Sequence, residues 1–156
     1  MASFQAQVWA EILKKGNHVW VSEGGQSDLT ADIAKAVLNL APGVNLKNIH
    51  VVQNSESEAN KTNQDELRYV KNTTDYILIE DGNKKNKTAN LNHKPQDRFL
   101  RSVRESSYKK YWDSAFKFLE NGNSNLDFSD TVNLLYILQV DKDDVGSMIG
   151  FADEYF

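Results

Sequence analysis

The sequence predicts an α/β domain: a small Rossmann-like, three-layer arrangement with a short parallel sheet and a helical C-terminal part. Three observations carry that expectation. Short apolar runs rich in Val and Ile recur at 18–22, 48–53 and 76–79. Segments with helical apolar spacing separate them, which is the usual pattern of βαβ units and parallel strands. At 156 residues, 40% hydrophobic and 10% aromatic, the chain is long and apolar enough for one core.

The elements follow in order. Phe4, Val8 and Ile12 recur at helical spacing and stop at Gly16-Asn17, predicting an amphipathic helix over 3–15. His18-Val19-Trp20-Val21-Ser22 reads as the first strand, interrupted by Gly24-Gly25. A helix from about Ser27 to Leu40 places Leu29, Ile33, Val37 and Leu40 on one face. Ala41-Pro42-Gly43 breaks it, and Asn48–Gln53 gives a second strand. Residues 63–72 form the next helix, with Leu67 and Val70 inward, before a third strand at Tyr76–Ile79. Right-handed crossovers accompany such units.

The polar segment DGNKKNKTANLNHKPQD, 81–97, reads as a long loop. Beyond it, one helix carries Phe99, Val103, Tyr111, Ala115, Phe116 and Leu119 up to Gly122, and another runs from Thr131 to Gln139. Val145 to Phe156 reads as a short helix or apolar tail. The expectation is a single domain over 1–156, with 98–156 its helical part and 81–97 the segment that would divide sheet from helices.

Composition limits function. A net charge of −4 gives no general attraction to a phosphate backbone, so nucleic acid is disfavoured as a partner. The local basic stretch Lys84, Lys85, Lys87, Lys94, Arg98, Arg101 and Arg104 reads mainly as a solvated face. Without cysteine, disulfides, thiolate catalysis and Cys-ligated metals are excluded. No run approaches 18 apolar residues and no signal-like start is present, which predicts a soluble, cytoplasmic protein with no membrane partner. Three Asn-x-Thr triplets, at 60, 72 and 86, read as by-products of an Asn-rich chain.

The sharpest local feature is Ser22-Glu23-Gly24-Gly25-Gln26-Ser27-Asp28, between a strand and a helix. Glycines permit tight turns and close ligand approach, and a helix start offers unpaired amides to a polar ligand. The alternative is that the glycines only turn the chain while Ser27 or Asp28 caps the helix. The loop lacks the Lys-Ser/Thr ending of a P-loop and the dinucleotide fingerprint, so no cofactor is called for. Ligands of open parallel sheets bind beyond the carboxyl ends of the strands. There Gln53, Asn54 and Ser55 follow strand two, and Glu80, Asp81, Gly82 and Asn83 follow strand three. Asp28 and Asp81 are the catalytic candidates, with Glu23, Gly24, Gly25, Gln26, Ser27, Asn54 and Asn83 as ligand-binding candidates. No metal ligand set is assigned. His18, His50 and His93 lack the spacing of a zinc motif, and His50, alternating with Val51, reads as structural.

The strings HVWVSEGGQSD (18–28), IHVVQNS (49–55), DYILIEDGN (75–83) and LDFSDTV (126–132) resemble the nucleoside hydrolase-like proteins, of which this chain looks like a shortened relative. The resemblance runs over much of 18–140 and implies a Rossmann-like sheet with a polar pocket for a ribosyl or other sugar-like group. The family's aspartate-rich calcium motif, D-x-D-x-G-x-D-D, does not occur here. Calcium and N-glycosidic cleavage therefore have no positions to be carried onto.

Two functions stand against each other. One is a hydrolase of a nucleoside-like or sugar-like small molecule, with Asp28 or Asp81 positioning water and Asn54 and Asn83 holding hydroxyls. The other is a noncatalytic module that binds a small polar molecule, or a protein partner or second copy through the aromatic C-terminal helices.

Overall fold

The computed structural model describes residues 3–25, 27–61, 63–80, 90–91, 101, 103–120, 126–127 and 131–139. Contacts divide the chain into two compact units, Met1–Asp81 and Gly82–Phe156.

In the first unit, α1 (Phe4–Lys14) opens where the Ala6 N–H donates to Ser3 Oγ at 3.2 Å. It closes at Gly16, whose φ of 75° is the left-handed conformation that ends helices at low steric cost. Its N–H donates to the Leu13 carbonyl. Strand β1 (Val19–Glu23), α2 (Asp28–Leu40), a 3₁₀ turn (Leu46–Asn48) and β2 (Ile49–Asn54) follow. The short α3 (Glu56–Ala59), α4 (Gln64–Thr73) and β3 (Asp75–Ile79) complete the unit. Each predicted strand and helix of this region is present, within a residue or two of its expected limits.

The sheet has the order β1-β2-β3 and both pairings are parallel. Val19 pairs with Ile49 and Val51 with Tyr76, so Val19, Val21, Glu23, Ile49, Val51, Gln53 and Tyr76 share one face. Ala6, Ala10 and Leu13 of α1, Ala31, Ile33, Ala34 and Val37 of α2, and Val70 of α4 pack with that face in one core. The alanines let the helix backbones approach the sheet closely. Strand β1 alternates buried and exposed residues, whereas the central β2 is buried except at partly covered His50. The described helices of this unit thus supply the layer over one face. The other face carries Trp20, His50, Val52, Asn54 and Asp75.

In the second unit, residues 101 and 103–105 are helical, and α5 spans Lys109–Glu120. One continuous helix from beyond Asp97 to Gly122 was expected; the structure corrects this. Helical backbone stops at Glu105, and Ser106 Oγ accepts from the Tyr108 N–H at 3.1 Å, a serine turn that starts a new helix. Within the expected 81–97 loop, Asn90–Leu91 forms β4, paired antiparallel with β5 (Leu126–Asp127). Helix α6 spans Thr131–Ile137 and buries Leu135 and Asn133. No helix of the described residues is long and apolar enough to cross a membrane.

Candidate functional site

The carboxyl ends of β1 and β2 hold an unusual concentration of polar side chains without solvent exposure. Ser27 and Gln53 are fully buried, and Asn54, Ser55 and Glu23 are buried as well. Polar groups removed from water need partners, and Gln53 supplies several of them. Gln53 Nε2 donates to the Glu23 carbonyl at 3.2 Å and to the Asn54 carbonyl at 2.9 Å, tying the two strand ends together. Its Oε1 accepts weakly from Ser27 Oγ, at 3.5 Å.

Glu23 ends β1 and turns toward α2, where Thr30 Oγ1 donates to its Oε2 at 2.5 Å. Burial pushes the Glu23 carboxyl above its ordinary pKa, the Thr30 hydrogen bond opposes that rise, and the Asp28 charge adds to it. Tyr76 lies on the same sheet face. Burial and the Glu23 charge push its phenol up to about 12, and its buried hydroxyl has no hydrogen-bond partner among the described residues.

Asp28 sits in the first turn of α2, where a negative charge complements the helix dipole. Its Oδ1 accepts from the Asn63 N–H at 3.2 Å. Asn63 in turn caps α4 by accepting from the Asp65 N–H at 2.9 Å. Asp28 therefore links the starts of two helices while remaining partly exposed. Ser55, directly after β2, has a φ of 69°. A non-glycine residue in this region stores strain, and such residues cluster at functional positions. Its Oγ lies 2.6 Å from Ser57 Oγ and also accepts from the Ser57 N–H.

Glu23 and Ser27 come together around Gln53, with Asp28 near them at the start of α2, whereas Asn54 ends β2 on the opposite face of the sheet. Gly25 is not in a left-handed conformation, and a Cβ built there meets nothing within 4 Å, so neither its turn nor close packing requires glycine. Ser27 occupies the N-cap position of α2 but makes no side-chain capping bond, its hydroxyl being directed to Gln53. Glu80 is exposed after β3. Gln26, Asp81, Gly82, Asn83 and His93 lie outside the described residues, as do Phe99 and the expected 145–156 segment.

Thr30 and Tyr76 were not singled out from the sequence. Thr30 carries no signal in a helix whose apolar stripe dominates, and Tyr76 reads as ordinary strand filling. Neither belongs to the open groove of ≈ 390 Å³ along α1, lined by Phe4, Val8 and Ile12 among others, which shares no residue with the polar cluster. Among the described residues no group of three or more His, Asp or Glu is arranged to hold a metal ion. Compared with known proteins, the chain matches no family model, no curated protein and no solved structure.

Proposed function

We propose that the carboxyl ends of β1 and β2 form a hydrolase site for a nucleoside-like or sugar-like small molecule, acting in the cytoplasm. The observation that carries this reading is the buried polar set Glu23, Ser27, Gln53, Asn54 and Ser55 at adjacent strand ends. Parallel α/β sheets bind ligands at this end, and a substrate rich in hydroxyls needs closely placed donors and acceptors. Two carboxyl groups in different settings also suit acid–base work. Glu23 is biased toward its protonated form, and Asp28 is partly open to water at a helix start. In this reading Asp28 positions the attacking water, while Asn54 and Ser27 hold the ligand. The resemblance of 18–28 and 49–55 to nucleoside hydrolase-like proteins supports the substrate class.

The test is turnover of a panel of nucleosides and simple glycosides by the full chain and by Asp28→Asn. Loss of a general base lowers the rate by about 10²–10⁴-fold. We expect a loss of that order with an unchanged melting midpoint. Hydrolysis that persists in Asp28→Asn, or ligand-induced amide shifts that avoid Glu23, Ser27 and Asn54, would overturn the assignment.

A noncatalytic interaction module is the second reading, favoured by exposed apolar groups on the second unit. Tyr111 is 63% exposed, and Leu134 and Leu138 are also exposed. Retained Asp28→Asn binding with no turnover in either protein would favour it.

A further inference from the structure

The amino ends of the same three strands hold a second polar arrangement. Asp75 Oδ2, at the start of β3, lies 2.6 Å from His50 Nδ1. His50 Nε2 lies 2.7 Å from Nδ1 of His18, which directly precedes β1. The two imidazole centroids are 5.0 Å apart with 14° between planes. With ring nitrogens in hydrogen-bond contact, that separation is an edge-to-edge, nearly coplanar pair, not a face-on stack. Trp20 covers the face of His50, with centroids 4.2 Å apart and planes inclined by 22°. His18 is exposed at the end of this chain.

With both imidazoles neutral, donor and acceptor chemistry sets the protons. A carboxylate only accepts, so His50 Nδ1 carries the hydrogen toward Asp75. Neutral His50 then presents a lone pair at Nε2, which receives the proton of His18 Nδ1. His18 is left with its own lone pair on the remote Nε2. This is the logic of a nucleophile–base–orienter triad, with an imidazole where a hydroxyl usually stands.

We propose that His18 Nε2 is a nucleophile that accepts an acyl group from activated esters with aromatic leaving groups. Nε2 attacks the acyl carbon and forms the N–C bond, and the C–O bond breaks to release the aryloxide. The His18 Nδ1 proton moves to His50 Nε2, so the acylimidazole is neutral and the positive charge rests on His50 against Asp75. Water then adds to the acyl carbon, the N–C bond breaks, and His50 returns its proton to His18 Nδ1. The carboxylic acid leaves with the water's hydroxyl, and the remaining water proton neutralises the aryloxide.

Two features select this substrate class. Trp20 is 47% exposed and offers an aromatic surface beside the imidazoles. The Asp75 carboxylate disfavours an anionic phosphoryl donor at the same place. This centre shares no residue with the cluster at the opposite end of the sheet, so each proposal stands or fails without the other.

The probe is p-nitrophenyl acetate on the full chain, following p-nitrophenolate release and the position of the acetyl group by peptide mass. Removing the group that orients a metal-bound histidine typically costs about 10–100-fold, and in a hydrolytic triad about 10⁴-fold. We expect His18 to be acetylated about tenfold faster than histidine in a short unstructured peptide. In Asp75→Asn and His50→Gln the rate should fall to that of the peptide, and in His18→Gln the acetylated site should vanish. A rate unchanged by Asp75→Asn, or acetylation elsewhere, would overturn the proposal. Long-range ¹H–¹⁵N spectra of the unmodified protein give a test that needs no variant: His18 must lack a proton at Nε2, and a proton found there sinks the mechanism.

Discussion

Glu23 is an acid folded into surroundings that favour its proton. Its elevated carboxyl pKa arises first from burial, so the folded chain binds this proton more tightly than the unfolded chain, whose Glu titrates near about 4.3. The associated stability is fully present below the unfolded value and is lost as pH rises through the higher folded value. Glu23→Gln keeps an acceptor for Thr30 Oγ1 while removing the ionisation. Its urea midpoint relative to the native protein should therefore rise between pH 4 and pH 8, and parallel curves would contradict the buried acid. Tyr76 presents the same tension in neutral form: a buried hydroxyl with no hydrogen-bond partner among the described residues carries a desolvation cost of about 1–3 kcal/mol. A sequence shows which residues are polar but not which are dry. Glu23 and Asn54 were legible as strand-end residues, whereas the Thr30 contact and the Tyr76 orientation depend on how α2 and β3 are placed. Likewise His18 and His50 carried no recognisable spacing, because 32 residues separate them and only the β1–β2 register joins them.

Helix α2 is seated on the core through three fully buried residues. Ala31, Ala34 and Val37 have no solvent exposure, and they face the same core as Ile49 and Val51. Overfilling such a site forces off-rotamer side chains and backbone shifts, at a cost of typically 1–3 kcal/mol. Ala34→Leu should lower thermal stability by that amount, whereas Leu29→Ala, at a position 69% exposed, should change it by less than about 0.5 kcal/mol. The contrast also marks the limit of periodicity. Helical spacing placed Leu29 and Leu40 on the buried face with Ile33 and Val37, yet both are exposed: the buried stripe runs through Thr30, Ala34, Val37 and Ala41, and the two leucines lie roughly a quarter-turn or more around the helix from it. The strands were legible because β-branched residues concentrate in them, α1 because its helical spacing stops at Gly16, and α4 through the inward spacing of Leu67 and Val70. Ser106 escaped notice, since a serine inside a helical pattern becomes a boundary only when its hydroxyl finds the backbone N–H two residues on. The pairing of β4 with β5 was illegible for a related reason: two residues give no period.

At the scale of the molecule, the first unit holds a core of its own. Every described buried residue of that hydrophobic cluster falls between Ala6 and Val70. About 80 residues lie near the lower end of sizes at which a single core sustains folding. A fragment of residues 1–81 should consequently unfold cooperatively in urea, with coincident circular dichroism and fluorescence transitions; a gradual, probe-dependent loss would show that the core needs the rest of the chain.

The order β1-β2-β3 repeats the order of the chain itself, and its pairings join Val19 to Ile49 and His50 to Asp75. Each new strand thus docks on the one made just before it, without waiting for a distant segment. The crossovers between them, residues 24–48 and 55–74, close at an entropic cost that grows only slowly with length. During synthesis at ≈ 5–20 residues per second, the sheet can grow one strand at a time as the polypeptide emerges, so the direction of translation and the direction of assembly coincide.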